Sequence, residues 1–201
     1  MNPQLETAIM TAEGRSHGVE TSLQKNSGQW SGQLSYSYSR TFSRTTNEYP
    51  ETTIRSGDWS PASYDQPHNL FLSAVKQLGE SSAFSFNFTW RSGRPITSLR
   101  SNYLDSQTTV PVYSERNQAR VPDYVRLDLS LNIADNISKN RSANSESRRS
   151  SSVNITLYNV LGRANACSVF YQRPDGATVP KAYKLSVLGA VIPSITYNFS
   201  Y

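Results

Sequence analysis

From Gln29 to Ser39 the chain switches at every step between two kinds of residue. Trp30, Gly32, Leu34, Tyr36 and Tyr38 hold one parity; Gln29, Ser31, Gln33, Ser35, Ser37 and Ser39 hold the other. A period of two sends successive side chains to opposite faces of a β-strand. Such a strand needs apolar surroundings on one side and water on the other. The pattern predicts a strand over 29–42. Helical spacing is hard to find anywhere in the 201 residues.

The same period recurs in six further segments. Over 16–25, Val19, Thr21 and Leu23 oppose Glu20, Ser22 and Gln24. Over 68–78, Leu70, Leu72 and Ala74 oppose Asn69, Ser73 and Gln77, while Phe71 and Val75 blur the parity. Over 83–91, Phe84, Phe86, Phe88 and Trp90 oppose Ser85, Asn87, Thr89 and Arg91. Over 124–134, Val125, Leu127, Leu129, Leu131 and Ile133 oppose Arg126, Asp128, Ser130 and Asn132. A sixth strand starts near Ser152, with Val153, Ile155 and Leu157 opposite Asn154, Thr156 and Tyr158, and is expected to continue as far as Tyr171. The chain resumes at Ala182 and ends with Ile195, Tyr197, Phe199 and Tyr201 alternating with Ser194, Thr196, Asn198 and Ser200.

Connection lengths carry a second signal. Asn26-Ser27-Gly28 and Gly79-Glu80-Ser81-Ser82 are short turns, whereas 43–67 and 92–123 are long. Counting strands back from the C-terminus puts both long loops at one end and both short turns at the other. Outer-membrane barrels have this asymmetry, with short periplasmic turns and longer external loops. The Asn/Ser/Arg-rich connector 135–151 falls on the short-turn side and fits least well.

Only 17% of residues are charged, against roughly 25% in an ordinary soluble domain. The polar faces are almost wholly Ser, Thr, Asn and Gln, where a solvated sheet carries more Lys and Glu. No run of about 18 apolar residues is present, which excludes a transmembrane helix but not a membrane barrel. Strands of about 9–11 residues match a tilted strand crossing a bilayer. Trp30, Trp90 and Tyr201 sit at strand ends, where an aromatic girdle belongs. The competing architecture is a soluble β-sandwich that buries the same aromatics in its core.

Seven strands leave an open sheet. In lipid each unpaired backbone group on its edges costs several kcal/mol, and small barrels have even strand counts. The expected setting is therefore a larger all-β, antiparallel transmembrane barrel. Residues 1–13 read as an N-terminal stub or part of a preceding strand, and 14–201 as the C-terminal part of the barrel. Met1 to Met10 lacks the basic and apolar regions of a signal peptide, which points the same way.

Most catalytic chemistry finds no footing. One cysteine, Cys167, forbids an intramolecular disulfide or a multi-cysteine metal site. His17 and His68 lie far apart without a second ligand at metal spacing, so both read as hydrogen-bonded polar residues. No Gly-x-Ser-x-Gly elbow, phosphate loop or dinucleotide fingerprint occurs. No cofactor and no enzymatic activity are expected. The net charge is +5, and Lys139, Arg141, Arg148 and Arg149 cluster around Glu146. That stretch has no stacking aromatics and reads as a solvated loop, not a nucleic-acid site.

Several stretches together resemble the C-terminal barrel region of TonB-dependent outer-membrane receptors of the Bacteroidetes type. They are Gly14-Arg15-Ser16-His17-Gly18-Val19-Glu20, Lys25-Asn26-Ser27-Gly28-Gln29-Trp30-Ser31-Gly32, and Leu34-Ser35-Tyr36-Ser37-Tyr38-Ser39-Arg40. Tyr64-Asp65-Gln66-Pro67-His68-Asn69-Leu70, Trp90-Arg91-Ser92-Gly93-Arg94-Pro95-Ile96 and Tyr113-Ser114-Glu115-Arg116-Asn117 follow. Val121-Pro122-Asp123-Tyr124-Val125-Arg126-Leu127-Asp128, Tyr158-Asn159-Val160 and Pro193-Ser194-Ile195-Thr196-Tyr197-Asn198-Phe199 complete the set. The resemblance implies a 22-stranded barrel in the Gram-negative outer membrane, closed by an N-terminal plug. It implies uptake of a scarce nutrient (a glycan, peptide or metal chelate) powered by the TonB complex through that plug. The present sequence contains neither the plug nor a TonB-interacting segment, so transport is expected only of the complete receptor. Outer-membrane lipid, the remaining strands, the plug and the barrel assembly machinery are the implied partners. Ile195, Tyr197, Phe199 and Tyr201 also resemble an outer-membrane assembly signal. A non-transporting surface barrel used for adhesion, or a soluble carbohydrate-binding sandwich, is the alternative.

Binding residues concentrate on loops held by a rigid scaffold. Tyr49, Trp59 and Tyr64 in one long loop are candidates for ligand contact. So are Arg94, Arg100, Tyr103, Tyr113 and Arg116 in the other. Arg91, Arg126 and Asp128 fall on the lumen parity, where they are expected to pair across strands or meet the plug.

Overall fold

The structure, a computed structural model, describes residues 11–45, 54–105, 108–135, 150–172, 174 and 180–200. Its strands in chain order are β1 (Ala12–Lys25), β2 (Trp30–Thr45), β3 (Ser60–Pro61), β4 (His68–Gln77), β5 (Ser82–Arg91), β6 (Pro95–Ile96) and β7 (Leu99–Asp105). They continue as β8 (Thr108–Tyr113), β9 (Ala119–Arg120), β10 (Tyr124–Asp135), β11 (Ser150–Tyr158), β12 (Ala166–Gln172), β13 (Lys181–Ser186) and β14 (Ile192–Ser200). No α-helix occurs among the described residues; the one helical element is a 3-10 turn at Ile54–Gly57.

Seven long strands form one antiparallel sheet in the order β1-β2-β4-β5-β10-β11-β14, and β3 clips onto β2. Every neighbour in that path follows its predecessor through a turn or loop, so the sheet is a plain meander. It is open: β1 and β14 form its two edges. Three two-stranded sheets, β6-β9, β7-β8 and β12-β13, sit in the long connections.

The register gives the middle of each face one dominant chemistry. Leu23, Leu34, Leu72, Phe88 and Leu127 are mutual partners across five strands. Ala74, Phe86, Leu129, Leu157 and Pro193 form the next row, and Phe84, Leu131, Ile155 and Ile195 another. On the opposite face Gln24, Gln33, Ser73, Asn87 and Asp128 are partners, as are Ser85, Ser130, Thr156 and Ser194. Phe71 and Val75, which blurred the parity of β4, belong to this polar face. A slip of one residue would exchange the faces of a strand completely, so the unbroken rows are strong evidence of register.

Burial is inverted relative to a soluble domain. Among the described residues the only buried hydrophobics are Ala62 and Val121, both in loops. Buried polar groups include Asp65, Thr89, Asp128 and Asn159. On the apolar face Ile195 is 74% exposed, and Val19 and Leu23 are each 68% exposed.

Three elements differ from the sequence expectation. β1 begins at Ala12, not Ser16. The sixth strand stops at Tyr158, because Asn159 (φ 54°) and Gly162 (φ 58°) turn the backbone out of the extended region. Residues 166–172 then pair with Lys181–Ser186 as a separate hairpin. Their period of two mimics a continuation, since a strand pattern does not say which strand it will pair with. Finally, the 92–123 loop is not irregular but holds β6 to β9. The basic cluster Lys139, Arg141, Arg148 and Arg149 lies outside the described residues.

Candidate functional site

The two long loops meet above one end of the sheet, and a buried carboxylate joins them. Asp65 is 1% exposed. Its carboxylate accepts from the Thr41 amide (2.8 Å), Arg40 Nε (3.4 Å) and Arg120 Nη2 (2.5 Å). Arg120 Nη1 donates to the carbonyls of Asp65 (2.9 Å) and Gly93 (2.8 Å). One guanidinium therefore spans the 54–67 and 92–123 connections. Asn117 Nδ2 adds a bond to the Pro61 carbonyl (2.7 Å), and Arg55 pairs with Glu115 (2.9 Å). Gly93 has to be glycine for this contact, since a Cβ there would overlap the Val121 carbonyl.

Asp123 performs a similar task nearby. It accepts from the Gly93 amide (3.0 Å) and Trp90 Nε1 (3.1 Å). Those two bonds hold its carboxyl below the usual carboxylate range. For Asp65, burial pushes upward, but the Thr41 amide and the charges of Arg40 and Arg120 outweigh it and lower the pKa. A carboxylate with a lowered folded pKa stabilises the fold above its unfolded value, about 3.9. That contribution is lost as pH falls through the folded value. The loop junction is expected to hold from neutral pH down to about pH 4 and to loosen below it. Trp90 fluorescence, read against pH, checks this; a transition centred near pH 6 would contradict it.

Beneath the junction, the polar face gathers cations and phenols. Tyr124, Arg91 and Asn69 are register partners, and Arg91 Nε donates to Asn69 Oδ1 (3.2 Å) across the strands. Arg126 pairs with Asp128 on its own strand (3.0 Å), donates to the Tyr124 and Tyr158 hydroxyls, and lies 4.4 Å from the Tyr158 ring centre. The other oxygen of Asp128 accepts the Asn159 amide (2.9 Å), and Asn159 Nδ2 ties down the carbonyls of Arg163 and Ala190 (3.2 Å each). β11 ends before β10 does, so Asn165 supplies a side-chain amide that bonds both the N–H and the C=O of Val125 (2.9 Å each). Two shallow hollows open here, of about 180 and 160 Å³. They share Tyr124, Ala166 and Cys167; Arg126, Tyr158 and Asn159 line the first, Arg91 and Arg94 the second. Arg91 and Arg94 have no carboxylate partner in an ion pair among the described residues. The hollows suit an anionic or hydroxyl-rich group presented from the loop end.

The structure separates the predicted loop residues more than it gathers them. Trp59 lies against the Arg15 and Arg44 guanidiniums (4.4 and 5.0 Å) and does not line the hollows. Tyr64, Tyr103 and Tyr113 are exposed. Arg100 bonds Gln118 (3.2 Å), and Arg116 is exposed. Arg94 alone reaches a hollow, donating to the Cys167 carbonyl (2.7 Å). Tyr49 and Tyr201 lie outside the described residues. Arg91, Arg126 and Asp128 do share the polar face. Ile195 and Tyr197 lie on the apolar face opposite Ile155 and Val153, and Phe199 stacks on Tyr197. His68 is stacked on Trp90 and bonded to the Tyr36 hydroxyl (2.8 Å). No group of three potential metal ligands occurs among the described residues.

No family model, curated protein or solved structure matches this chain. The residues that sequence reasoning passed over are Asp65, Arg120, Asp123, Asn159 and Asn165. An acidic residue within two positions of a Pro, in Tyr64-Asp65-Gln66-Pro67 and Val121-Pro122-Asp123, was the available signal. Loop carboxylates are ordinarily solvated, so that signal needed the partner loop to be read.

Proposed function

We propose that this chain is wall, not core: a segment of a TonB-dependent receptor barrel in the outer membrane, taking part in nutrient uptake and catalysing no reaction. The observation that carries the reading is the continuous apolar face, in register over seven strands and covered by nothing among the described residues. Burying each of its large side chains is worth about 1.5–3 kcal/mol. A soluble sandwich needs a second sheet over that face, and the described residues hold none. A bilayer supplies the cover instead. At the loop end Tyr36, Tyr38, His68 and Trp90 cluster on the same face, with ring centres 5.3–6.2 Å apart around His68. At the turn end Lys76 Nζ lies 5.3 Å from the Trp30 ring centre. Aromatic side chains at both ends of an apolar band fit the layout of an outer-membrane strand. The two open edges call for further strands, because lipid cannot satisfy them. In the complete barrel the hollows beside Arg91, Arg94 and Arg126 face the lumen mouth, where cargo arrives.

The test places single tryptophans at Phe88 or Asn87 in a chain whose three native tryptophans are changed to phenylalanine. With the chain carried in its complete barrel and refolded into vesicles, lipids brominated deep in the acyl chains are expected to quench the probe at 88 and spare the one at 87. Equal quenching at both positions would sink the reading.

A further inference from the structure

We propose that the two hollows at the loop end form one site for an acidic sugar, its carboxylate on Arg91 and Arg94 and a neighbouring neutral ring against Tyr124 and Tyr158. The inference rests on the barrel reading above and names the class of cargo. The hollows share Tyr124, Ala166 and Cys167, so a ligand longer than one ring can lie in both. Their chemistry differs. The second hollow is cationic: Arg91 and Arg94 line it, and among the described residues no Asp or Glu does. Arg91 uses only Nε, on Asn69 Oδ1 (3.2 Å), and Arg94 only Nη2, on the Cys167 carbonyl (2.7 Å). Both partners are neutral, so neither positive charge is compensated by an ion pair among the described residues. Each bond steadies one corner of a guanidinium and leaves its other N–H groups for a ligand. Asp123, next to Pro122 of the lining, is committed to the Gly93 amide and to Trp90. Two guanidiniums with free N–H groups suit a carboxylate, which accepts from a fork of donors.

The first hollow is balanced in charge. Its one cation, Arg126, is paired with Asp128 (3.0 Å), and a ligand carboxylate there would compete with Asp128 for it. The lining offers hydroxyl chemistry instead. The Tyr124 and Tyr158 oxygens accept from Arg126 Nη1 and keep their own protons to donate. Asn159 is 2% exposed, and its Oδ1 accepts from no group among the described residues. A hydroxyl group that settles against Asn159 can supply the donor this acceptor lacks. Val187 and Leu188 add apolar surface. Phenols, a spare amide oxygen and an apolar wall match a sugar ring, which presents hydroxyls at its edge and C–H groups on its faces. An acidic peptide could place a carboxylate on Arg91 and Arg94 but brings few hydroxyls to the first hollow.

The test titrates the complete barrel that carries the chain with a panel of uronic-acid-containing disaccharides, α- and β-linked, each beside its methyl ester. Calorimetry at about 0.15 M salt is expected to show at least one acid binding about 10-fold tighter than its ester. That is the lower end for hydrogen bonds to charged groups, because both guanidiniums are exposed. The double variant Arg91→Gln, Arg94→Gln is expected to bring that acid down to the affinity of its ester. Arg100→Gln, which lines neither hollow, keeps the preference. Equal binding of acid and ester in every pair, or a preference that survives in the double variant, overturns the proposal. Triglutamate bound as tightly as the best acid overturns it too, since the sugar ring would then contribute nothing. In each case the barrel reading stands if lipid still quenches position 88 and spares 87; equal quenching there removes both.

Discussion

On the proposed membrane reading, arginine at Phe88 is expected to destabilise the folded state by about 2–4 kcal/mol, the cost of a cation near the bilayer midplane. Phe88 sits in the row Leu23, Leu34, Leu72, Phe88, Leu127, between Trp30 at the turn end and the Tyr36, Tyr38, His68, Trp90 cluster at the loop end. Phe84 is on the same strand and face but pairs with Lys76, which partners Trp30 at the turn end. Arginine there is expected to cost only about 0–1 kcal/mol, because the side chain can reach the headgroups. Asn87→Arg, on the polar face, is the third comparison and should change little. The measurement is urea unfolding, in vesicles, of the complete barrel that carries the chain. The gradient from 84 to 88 is the informative quantity. A protein core penalises an unpaired buried charge wherever it lies, so equal large costs at both phenylalanines would favour the sandwich.

The second large effect is expected at Arg120. Its replacement by alanine leaves Asp65 with only the Thr41 amide and a 3.4 Å contact to Arg40. Asp65 is buried but the Arg120 side chain is a third exposed, so the expected loss is that of a buried acceptor left short of a partner, about 1–3 kcal/mol. The loss is local to the loop junction. Native-state hydrogen exchange is the suitable probe: the Ala62 and Val121 amides, which bond Thr41 and Arg94, should lose protection, whereas Leu72 in β4 should not. Pairing Arg120→Met with Asp65→Leu should recover much of the loss, since an apolar pair leaves no stranded charge. Unchanged protection in Arg120→Ala would show that the loops are held by other contacts.

The junction also explains how an open sheet presents a shaped surface. Asp65, Arg120 and Asp123 fix the long loops to each other and to Trp90. Asn159 and Asn165 fix the turn after β11 to β10. Arg91, Arg94 and Arg126 are thereby held around hollows made from three different connections. Side chains on such a surface keep their spacing without a hydrophobic core beneath them.

How much was legible in advance differs by level. The seven strands, their order and their faces were readable because a period of two survives in the chain whatever packs against it; Trp30 to Tyr38 and Phe84 to Trp90 are the clearest runs. The end of β11 was not readable, because Ala166 to Tyr171 alternates just as well and only the positive φ at Asn159 and Gly162 breaks the run. Trp59 was legible as an aromatic on a loop, but its place against Arg15 and Arg44 depends on β3 clipping to β2.

By itself, then, the order of residues determined that this protein makes long antiparallel strands with one mainly apolar face and one polar face rich in Ser, Thr, Asn and Gln. Alternation is a local property, set by where successive Cβ atoms point. Only the tertiary structure decided which hairpin residues 166–172 join, which carboxylates are buried, and which arginines stand together. Those outcomes depend on loops distant in sequence meeting over the same sheet end. A buried polar group is stable only when such a meeting supplies its partner.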